Sequence, residues 1–158
     1  MSFYSPTKGK MSFDAVFEDM ISYMNQNYQE TYKLIIGSDS HAYLDEGITF
    51  VTAIVIHRVG KGGRYYFTKQ KKRFMESIRQ RIFYETSLSL EVASRLTENL
   101  SSNGYADLNI EIHLDVGEKG ETREIIKEVV GMVIGSGYDA RIKPDSYGAT
   151  KVADKYTK

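Results

Sequence analysis

Lys33-Leu-Ile-Ile-Gly-Ser-Asp-Ser-His41 is a short apolar run with a glycine set just before a polar cluster. The pattern predicts a strand that stops at Asp39 and so places a carboxylate at the lip of a sheet. Functional residues gather at strand ends, but an acid there can equally close a turn through its own backbone or sit solvated. The choice turns on whether other acids reach the same lip.

C-terminal to this stretch, the turn Leu44-Asp-Glu-Gly47 leads into Ile48-Thr-Phe-Val-Thr-Ala-Ile-Val-Ile56, a β-branched run that reads as a strand buried for much of its length. Lys61-Gly62-Gly63 signals a hairpin and Arg64-Tyr-Tyr-Phe-Thr-Lys69 resumes the extended pattern, so the three strands form an antiparallel meander. Lys69, Lys71, Lys72 and Arg73 close it, either as a strip facing phosphate or as solvated charges that guard an edge strand from pairing. On the N-terminal side, Met1 to Lys10 reads as an irregular lead-in. Ser12 then caps a helix whose apolar face, Phe13, Val16, Phe17, Met20, Ile21 and Met24, recurs at three- and four-residue steps and ends near Asn27.

From about Phe74 to Leu100 the pattern is helical. With Ile78 at zero and about 100° per residue, Phe74, Ile82, Val92, Leu96 and Leu100 fall within roughly 40° of it, and Glu85 within about 20°. Glu76 and Glu91 lie far around, facing solvent. Glu85 therefore points toward the core, where a carboxylate is costly unless paired, hydrogen-bonded or bound to a cation. Ser101-Ser-Asn-Gly104 ends the helix. Leu108 to Val116 then alternates, with Asn109, Glu111, His113 and Asp115 on one face, so Asp115 repeats the strand-end placement of Asp39. His113 on a half-exposed strand reads as a surface or packing residue. Gly120-Glu-Thr-Arg123 leads to a helix over Ile125 to Val133, Asp139 to Lys143 forms a short last strand cut off by Pro144, and Ser146 to Lys158 carries a brief helix with Asp154, preceded by Asp145.

The order predicts an α/β fold: a mixed five-stranded sheet, three antiparallel strands then two parallel, flanked by helices on both faces, with an extra N-terminal helix. No repeat or linker divides the chain, so one domain is expected over residues 1–158, with 1–30 as lead-in and helix and 31–158 as core. The 21 basic and 21 acidic side chains cancel, which argues against a protein that coats nucleic acid through bulk charge. The absence of cysteine removes disulfides, thiolate zinc sites and thiol catalysis. No signal core or membrane-length apolar run is present, and a cytoplasmic protein is expected.

If the fourth strand lies parallel beside the first, Asp39 and Asp115 end side by side and Glu85 can point into the same lip. Like charges so close need protons or divalent cations, and oxygen-only ligands select magnesium or manganese. In element order, and in Gly37-Ser-Asp-Ser-His41, Tyr84-Glu-Thr-Ser-Leu-Ser-Leu-Glu91, His113-Leu-Asp-Val-Gly117, Lys143-Pro-Asp-Ser146 and Val152-Ala-Asp-Lys155, the chain resembles the ribonuclease H-like superfamily, and more closely its bacterial YkuK-type branch. The resemblance implies a nuclease that hydrolyses phosphodiester bonds with two Mg²⁺ or Mn²⁺ ions. Asp39 would bridge both, Glu85 and Asp115 would hold one, and Asp154 would help hold the other, with Asp145 as its substitute. His41, Lys69, Lys71, Lys72 and Arg73 are the candidates to touch a nucleic-acid substrate, RNA or DNA. Two departures from the ribonuclease H pattern stand out: Glu85 lies about two turns into its predicted helix rather than near its start, and no histidine follows His113. A non-catalytic nucleic-acid-binding or adaptor module on the same fold is the alternative.

Overall fold

The structure, a computed structural model, describes residues 1–157 except positions 45, 74, 76, 119 and 121. Asp45, Phe74, Glu76, Glu121 and Lys158, which the sequence assigns to turns and helices, lie outside the described residues.

The meander forms as predicted. β3 (Tyr32–Tyr43) pairs antiparallel with β4 (Gly47–Arg58) along its whole length, and β4 pairs antiparallel with β5 (Gly63–Lys72). After α2 (Ile78–Ser101), β6 (Asn109–His113) returns parallel to β3. A 3-10 turn at Arg123–Ile125 and α3 (Ile126–Gly135) then bring β7 (Asp139–Arg141) parallel to β6, and α4 (Tyr147–Thr157) follows.

Among the described residues the sheet has seven strands rather than five. The N-terminal segment read as irregular is a hairpin, β1 (Phe3–Ser5) and β2 (Gly9–Met11), which extends the sheet beyond β5 through Tyr4 opposite Phe67. Its sequence lacks a β-branched run, so tertiary contacts define it. Phe3 is fully buried against Phe13, Tyr4 stacks on Phe67, and Lys8 pairs with the buried Asp19 of α1 (Phe13–Gln26) at 2.6 Å. Ser12 caps α1 as expected, accepting from the Ala15 amide at 3.1 Å.

β3 does not stop at Asp39; it runs on to Tyr43, with Asp39 opposite Val51. What stops is β6, whose pairing with β3 ends at Gly37 opposite His113. Asp39 thus lies just past the point where one edge of β3 opens.

Alternation along β3 sends even and odd positions to opposite faces. Leu34 and Ile36, with Ile54 and Ile56, pack under Met20 and Met24 of α1, Val92 and Leu96 of α2, and Val129 and Val133 of α3. Ile35, with Val51, Ala53 and Phe67, packs under Ala149 and Ala153 of α4. The helix seat on this face is set by Gly37, where a Cβ would come within 3.0 Å of Ala149 Cβ and the Thr150 amide nitrogen. Tyr156 anchors the other end of α4. It stacks on Phe67 with centroids 3.7 Å apart, and its hydroxyl meets that of Tyr65 at 2.7 Å.

Helix α2 begins at Ile78, capped by Ser77, rather than near Phe74. Ile82, Val92, Leu96 and Leu100 are buried as the angular reading requires and Glu91 is exposed. Ile78 itself is 40% exposed and lines a groove with Tyr43, Gly47 and Ile48.

Candidate metal centre

Three elements deliver three acids to the opening beside β3. Asp39 belongs to the α4-facing rows of β3, whereas Glu85 belongs to α2 on the opposite face. They meet because β6 no longer covers the β3 edge there. Asp115 stands just beyond β6, in a segment held to the chain around β7 by the Leu114 amide on the Arg141 carbonyl (2.9 Å) and the Lys143 amide on the Val116 carbonyl (2.8 Å). One carboxylate oxygen from each of Asp39, Glu85 and Asp115 can be chosen so that all lie within 4.8 Å of one another.

Glu85 reaches the site although it lies two turns into α2. It is buried, and Ser40 Oγ donates to its Oε2 at 2.5 Å. Arg81, one turn earlier, fixes Ser40 in turn: Nε donates to Ser40 Oγ at 3.1 Å and Nη2 to its carbonyl at 2.9 Å. The Arg81–Ser40–Glu85 chain thereby ties α2 to β3 beside the acid cluster.

Burial, reinforced by the charge of Asp115 and a hydrogen bond with Asp154, pushes Asp39 up to about 8. Burial also pushes Glu85 well above the usual carboxylate range, and the hydrogen bond from Ser40 offsets this only in part. Without a cation, protons neutralise the cluster. The donors are all oxygen, the set that suits magnesium, calcium or manganese rather than zinc, so the residues fit a hard divalent ion.

Asp154 comes to the same place from α4. With Asp39 and Asp115 it lines a cavity of about 370 Å³ whose other walls include Lys143, Ser146, Thr150 and Lys151. Asp145 is exposed and does not line that cavity, so of the two candidates for a fourth carboxylate only Asp154 borders it.

The remaining candidates are dispersed. His41 is exposed one rung outward from Asp39 and meets the Tyr43 ring edge-on at 4.5 Å. Through Val51 and Thr49 of β4, Lys69 shares a rung with Asp39, and Lys71 with His41. Lys72 alternates to the other face, over the Tyr84 ring, and Arg73 lines a separate groove that also contains Arg81. The basic run is therefore split between two faces rather than forming one strip, and none of its four cations lines the acid-walled cavity.

His113 is buried rather than half-exposed. Its Nε2 lies 3.0 Å from Glu111 Oε1, and Glu111 Oε2 also takes Lys33 at 3.1 Å and Arg141 at 3.3 Å, a knot that joins β3, β6 and β7. Sequence reasoning also missed three residues at the site. Arg81 carried no motif of its own, and Ser40 stood inside Gly37-Ser-Asp-Ser-His41 without drawing a role. Lys143 stood in a quoted motif but drew no role, although its Nζ lies 2.7 Å from Asp115 Oδ1.

A family model described as Ribonuclease H-like matches residues 15–158. The chain belongs to this family. It is also 35% identical over 167 aligned positions to a protein of Bacillus subtilis (strain 168) named "Uncharacterized protein YkuK", an alignment that covers 99% of this chain and 96% of the relative. No solved structure matches. The ribonuclease H-like α/β fold, with its mixed sheet and helices on both faces, brings a nuclease-type expectation with it, and the acid cluster lies at the opened edge of its inner strand β3. Among the described residues no helix of this ribonuclease H-like chain is long and apolar enough to cross a membrane.

Proposed function

We propose that the protein is a divalent-metal-dependent nuclease that hydrolyses phosphodiester bonds of a nucleic acid. The observation that carries this reading is the convergence of Asp39, Glu85 and Asp115 within 4.8 Å, from three elements, in a setting that pushes Asp39 and Glu85 toward their neutral forms unless a cation is supplied. Asp39, Glu85 and Asp115 would hold one Mg²⁺ or Mn²⁺ ion, and Asp39 with Asp154 a second. Bound divalent ions supply an acidified water and positive charge opposite the phosphate.

The chain's own residues provide orientation. Ser40 and Arg81 hold the Glu85 carboxylate toward β3, and α4 carries Asp154 to the cavity, anchored by Tyr156. A histidine base is not needed for such chemistry. Outside the acids, His41, Lys69 and Lys71 offer a polar and cationic border on the same sheet face for a flanking strand, while Arg73 and Arg81 offer a second on the far side of the β3–β4 turn.

The test is cleavage of end-labelled single- and double-stranded RNA and DNA in Mg²⁺ or Mn²⁺. Wild type is expected to cut at least one of them, with loss of about a hundredfold or more in Asp39→Asn and Asp115→Asn, the scale of a removed electrostatic stabiliser. Cleavage that persists in EDTA, or is unchanged in both variants, overturns the proposal.

A further inference from the structure

Lys143 is the cation that stands closest to the acid cluster among the described ion pairs, bonded to Asp115 at 2.7 Å, and the charges of Asp39 and Glu85 act on it as well. Its stem is fixed at the root. The Lys143 amide is bonded to Val116, and a Cβ on Gly117 would lie 3.1 Å from Lys143 Cβ, so the lysine is packed directly against the strand exit that carries Asp115. Its head is not fixed. The Lys143 side chain is 58% exposed, and a half-solvated ion pair is weak enough to exchange one partner for another.

The cavity beside it carries a second, independent mark. Ser146 is 1% exposed and lines this space, and its Oγ has no hydrogen-bond partner among the described residues. A buried hydroxyl left without a partner costs free energy unless something polar meets it. Lys151 lines the same cavity from α4. Lys143, Lys151 and Ser146 thus share the lining with the carboxylates of Asp39, Asp115 and Asp154, a combination of cations, hydroxyl and acids that suits an oxyanion arriving together with cations.

Resting on the nuclease reading above, we propose that Lys143 is a resident counter-ion which a divalent ion displaces from Asp115, and which then holds a phosphate group of the substrate in the adjoining cavity with Ser146 and Lys151. Lys143 is thus a positioning residue with two effects of opposite sign: it opposes metal binding and favours phosphate binding.

Calorimetric titration with Mn²⁺ alone, and with inorganic phosphate in saturating Mg²⁺, separates these effects in wild type, Lys143→Met, Lys143→Arg and Ser146→Ala. Removing the charge is expected to tighten Mn²⁺ binding about tenfold, within the range for a unit charge at close approach, and to weaken phosphate binding at least fivefold, by roughly the net worth of one charged hydrogen bond. Lys143→Arg should match wild type for Mn²⁺, and Ser146→Ala should weaken phosphate alone. A generally damaged fold cannot tighten one ligand while loosening the other. Mn²⁺ binding that is equal or weaker in Lys143→Met, or phosphate binding unchanged in both Lys143→Met and Ser146→Ala, overturns this inference and leaves the metal site standing. Failure of every protein to take up Mn²⁺ overturns the nuclease reading and this inference with it.

Discussion

Replacing Asp39 with asparagine should flatten the pH dependence of stability of the metal-free protein. Burial lifts this carboxyl from 3.8 to about 8, so the folded chain holds a proton that the unfolded chain has released across that interval. Stability from this source is fully present below pH 3.8 and is lost as pH rises through about 8. The slope is about 1.4 kcal/mol per pH unit, so between pH 5 and pH 7 the loss is about 3 kcal/mol. For a chain of this size that is a fall of roughly 6–12 °C in Tm. Asparagine takes no proton, and the contribution disappears. Other groups also titrate. Burial holds His113 below its usual range, so it acts with the opposite sign, gaining stability as pH rises toward 6.5. The informative quantity is therefore the difference between wild-type and Asp39→Asn melting curves, in which the His113 contribution largely cancels, whereas Glu85, which the Asp39 charge helps to lift, shifts with the substitution. Thermal melts followed by circular dichroism in EDTA, at half-unit steps from pH 5 to pH 8, supply it. Parallel Tm curves for the two proteins would refute the claim that Asp39 is an acid held protonated by burial and by its acidic neighbours. With saturating Mg²⁺ present the wild-type slope should shrink or reverse, since the cation takes the proton's place.

Two perturbations of α4 test how Asp154 is delivered. Tyr156→Ala removes the stack on Phe67 and the bond to Tyr65 and should cost about 2–3 kcal/mol by denaturant titration, whereas Tyr156→Phe keeps the stack and should cost under about 1.5. Gly37→Ala places a methyl 3.0 Å from Ala149 Cβ and the Thr150 nitrogen, and should cost about 1–3 kcal/mol while weakening the cleavage activity of whatever remains folded, as measured on the substrate found for wild type.

The central part of this fold could be read from local pattern because the meander writes itself in the chain. β-branched runs separated by Gly62 and Gly47 leave few alternatives, and the alternation at Ile110 and Ile112 sets the face of β6. The N-terminal hairpin was not legible. Residues 3–11 carry no periodic signal, and the pairing of Tyr4 opposite Phe67 exists only because the β5 edge is there to receive it. The end of β3 was misplaced for a related reason: Ser38 to His41 looks like a polar exit, yet Phe50 and Val51 across the ladder keep it extended.

At the site, Glu85 was found from the sequence because an acid on an apolar helical stripe contradicts its surroundings. Asp115 was found because it repeats the polar ending of β3. Ser40 and Arg81 were invisible, since a serine after an aspartate and an arginine in a polar first turn are unremarkable until α2 is laid against β3. Lys143 was overlooked for the opposite reason. A lysine before a proline reads as a solvated strand end, and only the arrival of β7 beside β6 gives it Asp115 as a partner.

The most direct test of the account is calorimetric titration of wild type and Asp39→Asn with Mg²⁺ and Mn²⁺ at pH 7. The convergence of Asp39, Glu85 and Asp115 predicts that wild type binds these ions with release of protons, and that Asp39→Asn binds at least about tenfold more weakly with less proton release, as expected when a charged oxygen ligand that must deprotonate is removed. Equal affinity in the two proteins would contradict the central claim that Asp39 is the hub of a metal site.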